Sequence, residues 1–480
     1  MYHYLIKTFQ DRSGPAPQIV SNQSFSASST YATDGVSLAA LFSKGSIFMD
    51  KFVVYGGNPL RGTIDVGGMK NSALGILFGT ILTNDICIIE NLPPVSDITN
   101  SLEILRECGA KIKMLSRTSA EIDTRFVQPC QAPYEMATKM RASYYVLGAE
   151  LGRFGKTKSA YPGGCDFGVR PIDRHIKGFE ALGADVEIVD GCVCAEAKEG
   201  VLRGTSIFMD DISVGATINI MLAAVRARGT TIIDNAAREP HVVDLANFLN
   251  ACGANISGAG TDVIKIKGVS RLFGTTYAII PDMIEAGTYM MAAAVNDGSR
   301  VEIKNVIPKH LESITAKLIE MGVEIEEDED SLIVEKNGRL SKVNVKTLPY
   351  PGFPTDMQPQ MCALQVTAQG TSMLIEGVWE NRFKYTEELR KMGAQITVEG
   401  RSATIIGVDH LNAARVRATD LRAGVAMIIA ALGAEGRSEI VDIHHIERGY
   451  EDIVEKLRAV GANISREAIK EEDNFATKAV

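Results

Sequence analysis

One short pattern recurs six times at nearly even spacing: Gly, then Ala or Val, then a polar residue, then Ile or Val. It begins at Gly109, Gly183, Gly253, Gly322, Gly393 and Gly461, with separations of 74, 70, 69, 71 and 68 residues. Self-similarity at a fixed period marks a fold assembled from like units. Each Gly follows a stretch with helical spacing, such as Ile104-Leu105-Arg106-Glu107-Cys108 or Ile453 to Arg458. It therefore reads as the left-handed residue that stops a helix and turns the chain into a strand.

A second landmark keeps the same period. Apolar, Ala-rich segments of helical length span Lys70 to Leu82, Met140 to Phe154, Val214 to Arg226, Ile284 to Val295, Asp356 to Ala368 and Leu421 to Ala434. Most are apolar on every face, which places them inside a domain beneath other layers. Short β-rich runs follow, as at Thr230 to Ile233, Arg300 to Ile303 and Ser438 to Val441. One unit thus reads strand, helix, strand, helix, strand, strand. Six such units fill nearly the whole patterned chain, and two α/β domains of three units each is the economical arrangement. A scaffold of repeats without a catalytic site is the plainest alternative.

Fifty Lys and Arg against 59 Asp and Glu give a formal charge of -9. No global positive field exists to hold nucleic acid or an anionic membrane, so an anionic ligand must be met by locally placed cations. No apolar run is long enough to span a bilayer. The eight cysteines are scattered without a C-x-x-C pair, which argues against a disulfide framework or structural zinc and for a reducing cytoplasm. Residues 1–48 are rich in Ser, Pro, Gln and Asn without apolar periodicity, and are expected to be a disordered extension.

The chemistry-bearing loops place charges at helix starts. In Gly67-Gly68-Met69-Lys70-Asn71 the paired glycines permit a tight turn, and Lys70 opens a buried helix. A cation at the positive end of a helix is costly unless an anion shares its site. A pliable loop, Tyr161-Pro162-Gly163-Gly164-Cys165, leads to Arg170. Further cations are Arg141, Arg382, Arg422 and Arg448, each alone explicable as a solvated or paired surface charge. Asp356 and Ser213 sit at helix starts, where capping is the simple role; free amides around Ser213-Val214-Gly215 also suit a diphosphate. Nucleotide-binding glycine motifs and metal-ligand spacings are absent from the sequence.

Taken in order, K-N after two glycines, M-R-A-S, P-G-G-C with G-x-R-P, S-V-G-A-T, N-A-A-R-E-P, P-T-D-M-Q, E-N-R-F, A-T-D-L-R-A and R-G-Y-E resemble the UDP-N-acetylglucosamine 1-carboxyvinyltransferases, a family of enolpyruvyl transferases. The likeness runs from Met49 to Arg466. It implies transfer of enolpyruvyl from phosphoenolpyruvate to the sugar 3-hydroxyl of UDP-N-acetylglucosamine with release of phosphate, the first committed step of peptidoglycan synthesis. It also implies a pair of inside-out α/β barrels: residues 49–69 with 281–466 as one domain, 70–280 as an inserted second domain, and 467–480 as a tail. No cofactor or metal is implied, and a cytoplasmic monomer is expected.

By the same resemblance Asp356 accepts a proton near the sugar hydroxyl, and Cys165 donates one to C3 of phosphoenolpyruvate and can form a covalent adduct with it, its sulfur being the atom that fosfomycin would alkylate. Lys70, Arg141, Arg170, Arg382, Arg422 and Arg448 match the cations around phosphoenolpyruvate, and Asp420 an acid that orients them. Asn71, Asp356 and Val378, in the backbone after Glu376, match sugar contacts. Pro171, Ile172, Asp173 and Arg174 match the uridine loop, and Ser213, Val214 and Gly215 the diphosphate contacts. Closure of the domains should order the Cys165 loop.

Two positions depart from the pattern: Asp211 stands where some members have Lys, and Tyr145 where some have Trp. The first leaves one phosphate cation unaccounted for. The sister enzyme, 5-enolpyruvylshikimate-3-phosphate synthase, would lack P-G-G-C and carry Lys-Ser in place of Lys70-Asn71. An inactive paralogue that only binds would not require a thiol acid.

Overall fold

The computed structural model describes residues 50–129, 131–132, 141–161 and 172–469. The expected extension at 1–48, together with Cys165, Arg170 and Pro171, lies outside the described residues, as does the side chain of Arg141. The described residues form one compact unit.

Among the described residues there are six four-stranded sheets and one two-stranded ribbon. One unit runs Ser206–Phe208, helix Val214–Ala224, strand Thr230–Asp234, helix Pro240–Ala251, strand Asn255–Ser257 and strand Val263–Lys267. Ser206–Phe208 lies parallel to Thr230–Asp234, which pairs antiparallel with Val263–Lys267, which in turn pairs antiparallel with Asn255–Ser257. The same order of one parallel and two antiparallel pairings recurs in all six sheets. The six repeat glycines take φ values of 97°, 90°, 98°, 95°, 93° and 99°, a region a side chain disfavours.

The helices after the first strand of each unit are interior. Twelve of the 13 residues of Leu421–Gly433 are buried, whereas Asp173–Ala181 buries only His175, Gly178 and Phe179. Strands such as Val263–Lys267 alternate exposed and buried residues, covering the interior helices with one face and meeting water with the other, whereas Asp50–Tyr55 is buried on both faces from Lys51 to Val54. The boundaries differ from the expected ones where tight turns intrude. Lys70–Gly79 is α-helical and continues as a 3-10 turn to Thr83. Thr355–Met357 is a 3-10 turn preceding the helix Gln358–Gln365.

The start of the chain completes sheets built mainly from its end. Asp50–Tyr55 lies between Arg437–Val441 and Asn463–Ala468, and Arg61–Asp65 lies parallel to Ser299–Lys304. Thr276–Ala278 closes the sheet begun by Ile86–Glu90. Three sheets therefore draw on residues 50–65 and 299–468, and three on residues 86–278. The last strand runs to Ala468, past the expected end at 466. Cys87, Cys192, Cys194, Cys252 and Cys362 are free thiols; Cys108 is disulfide-bonded, which the scattered cysteine spacing gave no reason to expect. No helix among the described residues is long and apolar enough to cross a membrane.

Candidate active site

Two passages of chain meet at the foot of the site. Gly68 bridges Pro281, Met69 N–H donates to Ile280 at 2.7 Å, and Asp282 N–H donates to Gly67 at 2.9 Å. Neither Gly67 nor Gly68 has a positive φ, so the pair is not required by the turn the sequence suggested. Close approach requires it: a Cβ on Gly68 would lie 1.7 Å from the Asn91 carbonyl oxygen. Asp282 then caps the helix Met283–Ala293 and also accepts from Lys70 N–H at 3.4 Å, tying the second passage to the start of the Lys70 helix.

Lys70 is buried, and its ammonium donates to Asp97 at 3.1 Å. Asp97 also accepts from Arg448 Nε at 3.0 Å. The anion that Lys70 calls for at its helix start is therefore supplied first by the chain itself. Burial pushes the Asp97 carboxyl up, but Lys70 and Arg448 outweigh it and hold it below the usual range. Two cations on the cleft wall thus share this carboxylate.

Asp356 forms a second node. Its Oδ2 accepts from Arg422 Nη2 at 3.0 Å and Nε at 3.3 Å, and its Oδ1 accepts from Arg382 at 3.4 Å. Both guanidiniums are buried, while 31% of the Asp356 side chain remains exposed to the cleft. Burial raises the Asp356 carboxyl, but Arg422, Arg382 and Lys70 together hold it far below the ordinary range. Arg422 also donates to the Tyr450 hydroxyl at 3.1 Å and lies over its ring. Asp420 caps the helix Leu421–Gly433 through the backbone N–H groups of Arg422 and Ala423. It reaches the cationic group through main chain, not through a guanidinium.

At the other end, Ser213 caps Val214–Ala224 by accepting from Ala216 N–H at 3.4 Å, and Val214 and Gly215 form the helix's first turn. Ile172 is buried; Asp173 and Arg174 open the next outer helix. Arg174 pairs with Asp211 at 2.6 Å. The departure at Asp211 thus goes further than a missing cation, because the acid engages one that is present. Tyr145 is buried edge-on to Tyr144 at 4.8 Å.

These groups line a cleft of about 880 Å³ that contains Lys70, Asn71, Arg174, Ser213, Val214, Gly215, Asp356, Val378 and Arg448. Arg382, Arg422 and Asp420 are not on its wall; the two arginines reach it through Asp356. The structure also brings in residues not singled out from sequence: Asp97, His241 and Trp379 line the cleft, and Tyr450 supports Arg422. Burial pushes His241 down to about 4 against the pull of Asp356, so it is neutral at pH 7. Tyr450 is the tyrosine of R-G-Y-E, whose support of Arg422 the string did not show, and Trp379 stands just before E-N-R-F; Asp97 carried no signal beyond an acid in a helix's first turn. No group of three or more metal-ligating side chains occurs among the described residues.

The family model for EPSP synthase (3-phosphoshikimate 1-carboxyvinyltransferase) matches residues 54–457. A UDP-N-acetylglucosamine 1-carboxyvinyltransferase 2 of Clostridium acetobutylicum is 57% identical, over 88% of this chain and all of the relative. The UDP-N-acetylglucosamine 1-carboxyvinyltransferase of Clostridium botulinum is 55% identical, over 87% of this chain and all of the relative. Among solved structures, the enolpyruvyl transferase NikO from Streptomyces tendae superposes with a TM-score of 0.79 at 25% identity, over 88% of this chain and all of that one. EPSP synthase from Acinetobacter baumannii, at 19% identity and a TM-score of 0.68, shares the fold.

Proposed function

The chain belongs to the EPSP synthase family of enolpyruvyl transferases, and from that premise we propose that it transfers enolpyruvyl from phosphoenolpyruvate to the 3-hydroxyl of UDP-N-acetylglucosamine, releasing phosphate, in peptidoglycan synthesis. The observation that carries the proposal is the single cleft that joins Asp356, the Lys70 and Arg448 cations and the amide-rich turn Ser213–Gly215. A nucleoside diphosphate sugar fits a helix start at one end, and an anionic enol phosphate fits the cations at the other.

The sugar oxygen adds to C2 of phosphoenolpyruvate while its proton passes to Asp356, and C3 takes a proton from the Cys165 thiol. The tetrahedral adduct then expels phosphate and gives back a proton from C3, restoring the double bond. In the empty cleft Asp356 is too strongly stabilised as an anion to be an effective base. Phosphoenolpyruvate, an added anion in the same cleft, would offset the field of Arg422 and Arg382 and raise the basicity of Asp356. Substrate binding would thereby switch on the proton acceptor.

Arg141 and Arg170 are assigned to phosphoenolpyruvate, and Asn71 and Val378 to the sugar. Pro171, Ile172, Asp173 and Arg174 are assigned to uridine, with Asp420 fixing the turn that carries Arg422. The division of the sheets supports two lobes, residues 49–69 with 281–466 and residues 70–280, joined through the paired passages at Gly68 and Pro281. We assign the enzyme to the cytoplasm, as a monomer.

Phosphate release is the decisive assay. Phosphoenolpyruvate with UDP-N-acetylglucosamine should turn over, and phosphoenolpyruvate with shikimate 3-phosphate should not; the reverse preference would assign the chain to the sister activity.

A further inference from the structure

Glu376 follows the strand Thr371–Ile375 and is 1% exposed. A buried carboxylate is costly unless donors surround it, and here they do. Oε1 accepts from Thr347 Oγ1 at 2.8 Å, Val378 N–H at 2.8 Å and Trp379 N–H at 3.1 Å. Thr355 Oγ1 lies 3.1 Å from Oε1 and 3.0 Å from Oε2. Thr347 in turn accepts from Gly377 N–H at 2.8 Å. One side chain therefore gathers the turn Gly377-Val378-Trp379, which lines the cleft, and the residue immediately before Asp356, also on its wall.

We infer that Glu376 is a positioning residue for the acceptor sugar, locking the Val378 wall and the Thr355-Asp356 step into one unit so that the bound hydroxyl meets the proton acceptor at a fixed distance. The inference rests on the assignments of Asp356 and Val378 made above. Loose placement of either side lowers the share of productive complexes without touching Lys70 and Arg448, the cations on the cleft wall that are held by Asp97 rather than by Glu376.

The test uses the full chain. Glu376→Ala should raise KM for UDP-N-acetylglucosamine about tenfold or more and leave KM for phosphoenolpyruvate within about twofold. Glu376→Gln should recover most of this, since its amide oxygen still accepts from the turn and the Thr355 hydroxyl can rotate to accept from its amide nitrogen. Equal rises in both KM values, or no change in either, would overturn the inference. If Glu376→Ala does not fold, Thr355→Val cuts only the link to Asp356, and should lower kcat about tenfold with phosphoenolpyruvate KM held; an unchanged kcat overturns it. Trp379 is the sole tryptophan, so acrylamide quenching without substrate reads the turn directly. Quenching should increase in Glu376→Ala and not in Glu376→Gln, and equal quenching counts against the inference. That measurement stands even if wild-type protein fails to transfer to UDP-N-acetylglucosamine, an outcome that would strike the proposed function instead.

Discussion

Arg422 Nη2 donates to Asp356 Oδ2 at 3.0 Å, joining segments 66 residues apart in the chain. The pair makes the acid a strongly held anion and leaves part of it open to the cleft. Replacing Asp356 with Ala should lower turnover by roughly two to four orders of magnitude if it handles the sugar proton. Steady-state phosphate release checks this, and near-normal turnover would remove the role.

Asp97 stabilises the fold only while ionised. Its folded pKa is depressed by Lys70 and Arg448 after burial has opposed them. Its contribution is therefore fully present above the ordinary carboxylate range and is lost as pH falls through the lower folded value. Asp97→Asn should cost about 3 kcal/mol at pH 7, since it removes the buried carboxylate that Lys70 and Arg448 both contact. The gap from wild type in urea unfolding should shrink below about pH 4. Added phosphate should narrow it at pH 7 by occupying the freed cations.

Arg174 is engaged by Asp211 at the nucleotide end, in a pair that is largely exposed. Asp211→Asn should free the guanidinium and lower KM for UDP-N-acetylglucosamine about two- to fivefold, a small effect because exposed pairs are weak. The gain should fade at high salt, and KM for phosphoenolpyruvate should not move.

Gly68→Ala places a methyl against the Asn91 carbonyl. The shift needed to relieve it should cost about 1–3 kcal/mol. It should also lower turnover more than a distant mutation of equal stability cost, because Lys70 stands two residues on. Thermal unfolding and kcat measured together decide this.

Cys165 carries a role by resemblance. Cys165→Asp should retain partial activity, because an acid remains, and lose covalent inhibition by fosfomycin, because the nucleophile does not. Mass spectrometry of the treated variant checks it: a fosfomycin adduct on Cys165→Asp would contradict the assignment.

The sequence carried the repeat, its strand and helix order, and the six glycines, because each rests on local physics: a left-handed stop, a 3.6-residue apolar period, a two-residue alternation. It also carried most of the charged cleft residues, through strings whose order matched a family. The roles of Asp97, Glu376 and Tyr450 were not legible, although Glu376 marked the sugar-contact backbone and Tyr450 stood in R-G-Y-E, since a buried carboxylate or phenol looks like any surface one until its donors are in place. The reason for Gly68 was missed as well: the backbone it must admit belongs to Asn91, which no local rule connects to it.

What the linear chain determined was therefore the unit, its sixfold repetition and the inventory of cations, acids and thiols. Only tertiary structure decided which charges answer one another: Lys70 with Asp97 and Arg448, Asp356 with Arg422 and Arg382, Arg174 with Asp211. Helix stops and apolar periods are set by neighbours a few residues away, whereas the field at a carboxylate is set by whatever lies within several ångströms, and here those groups come from up to 351 residues apart.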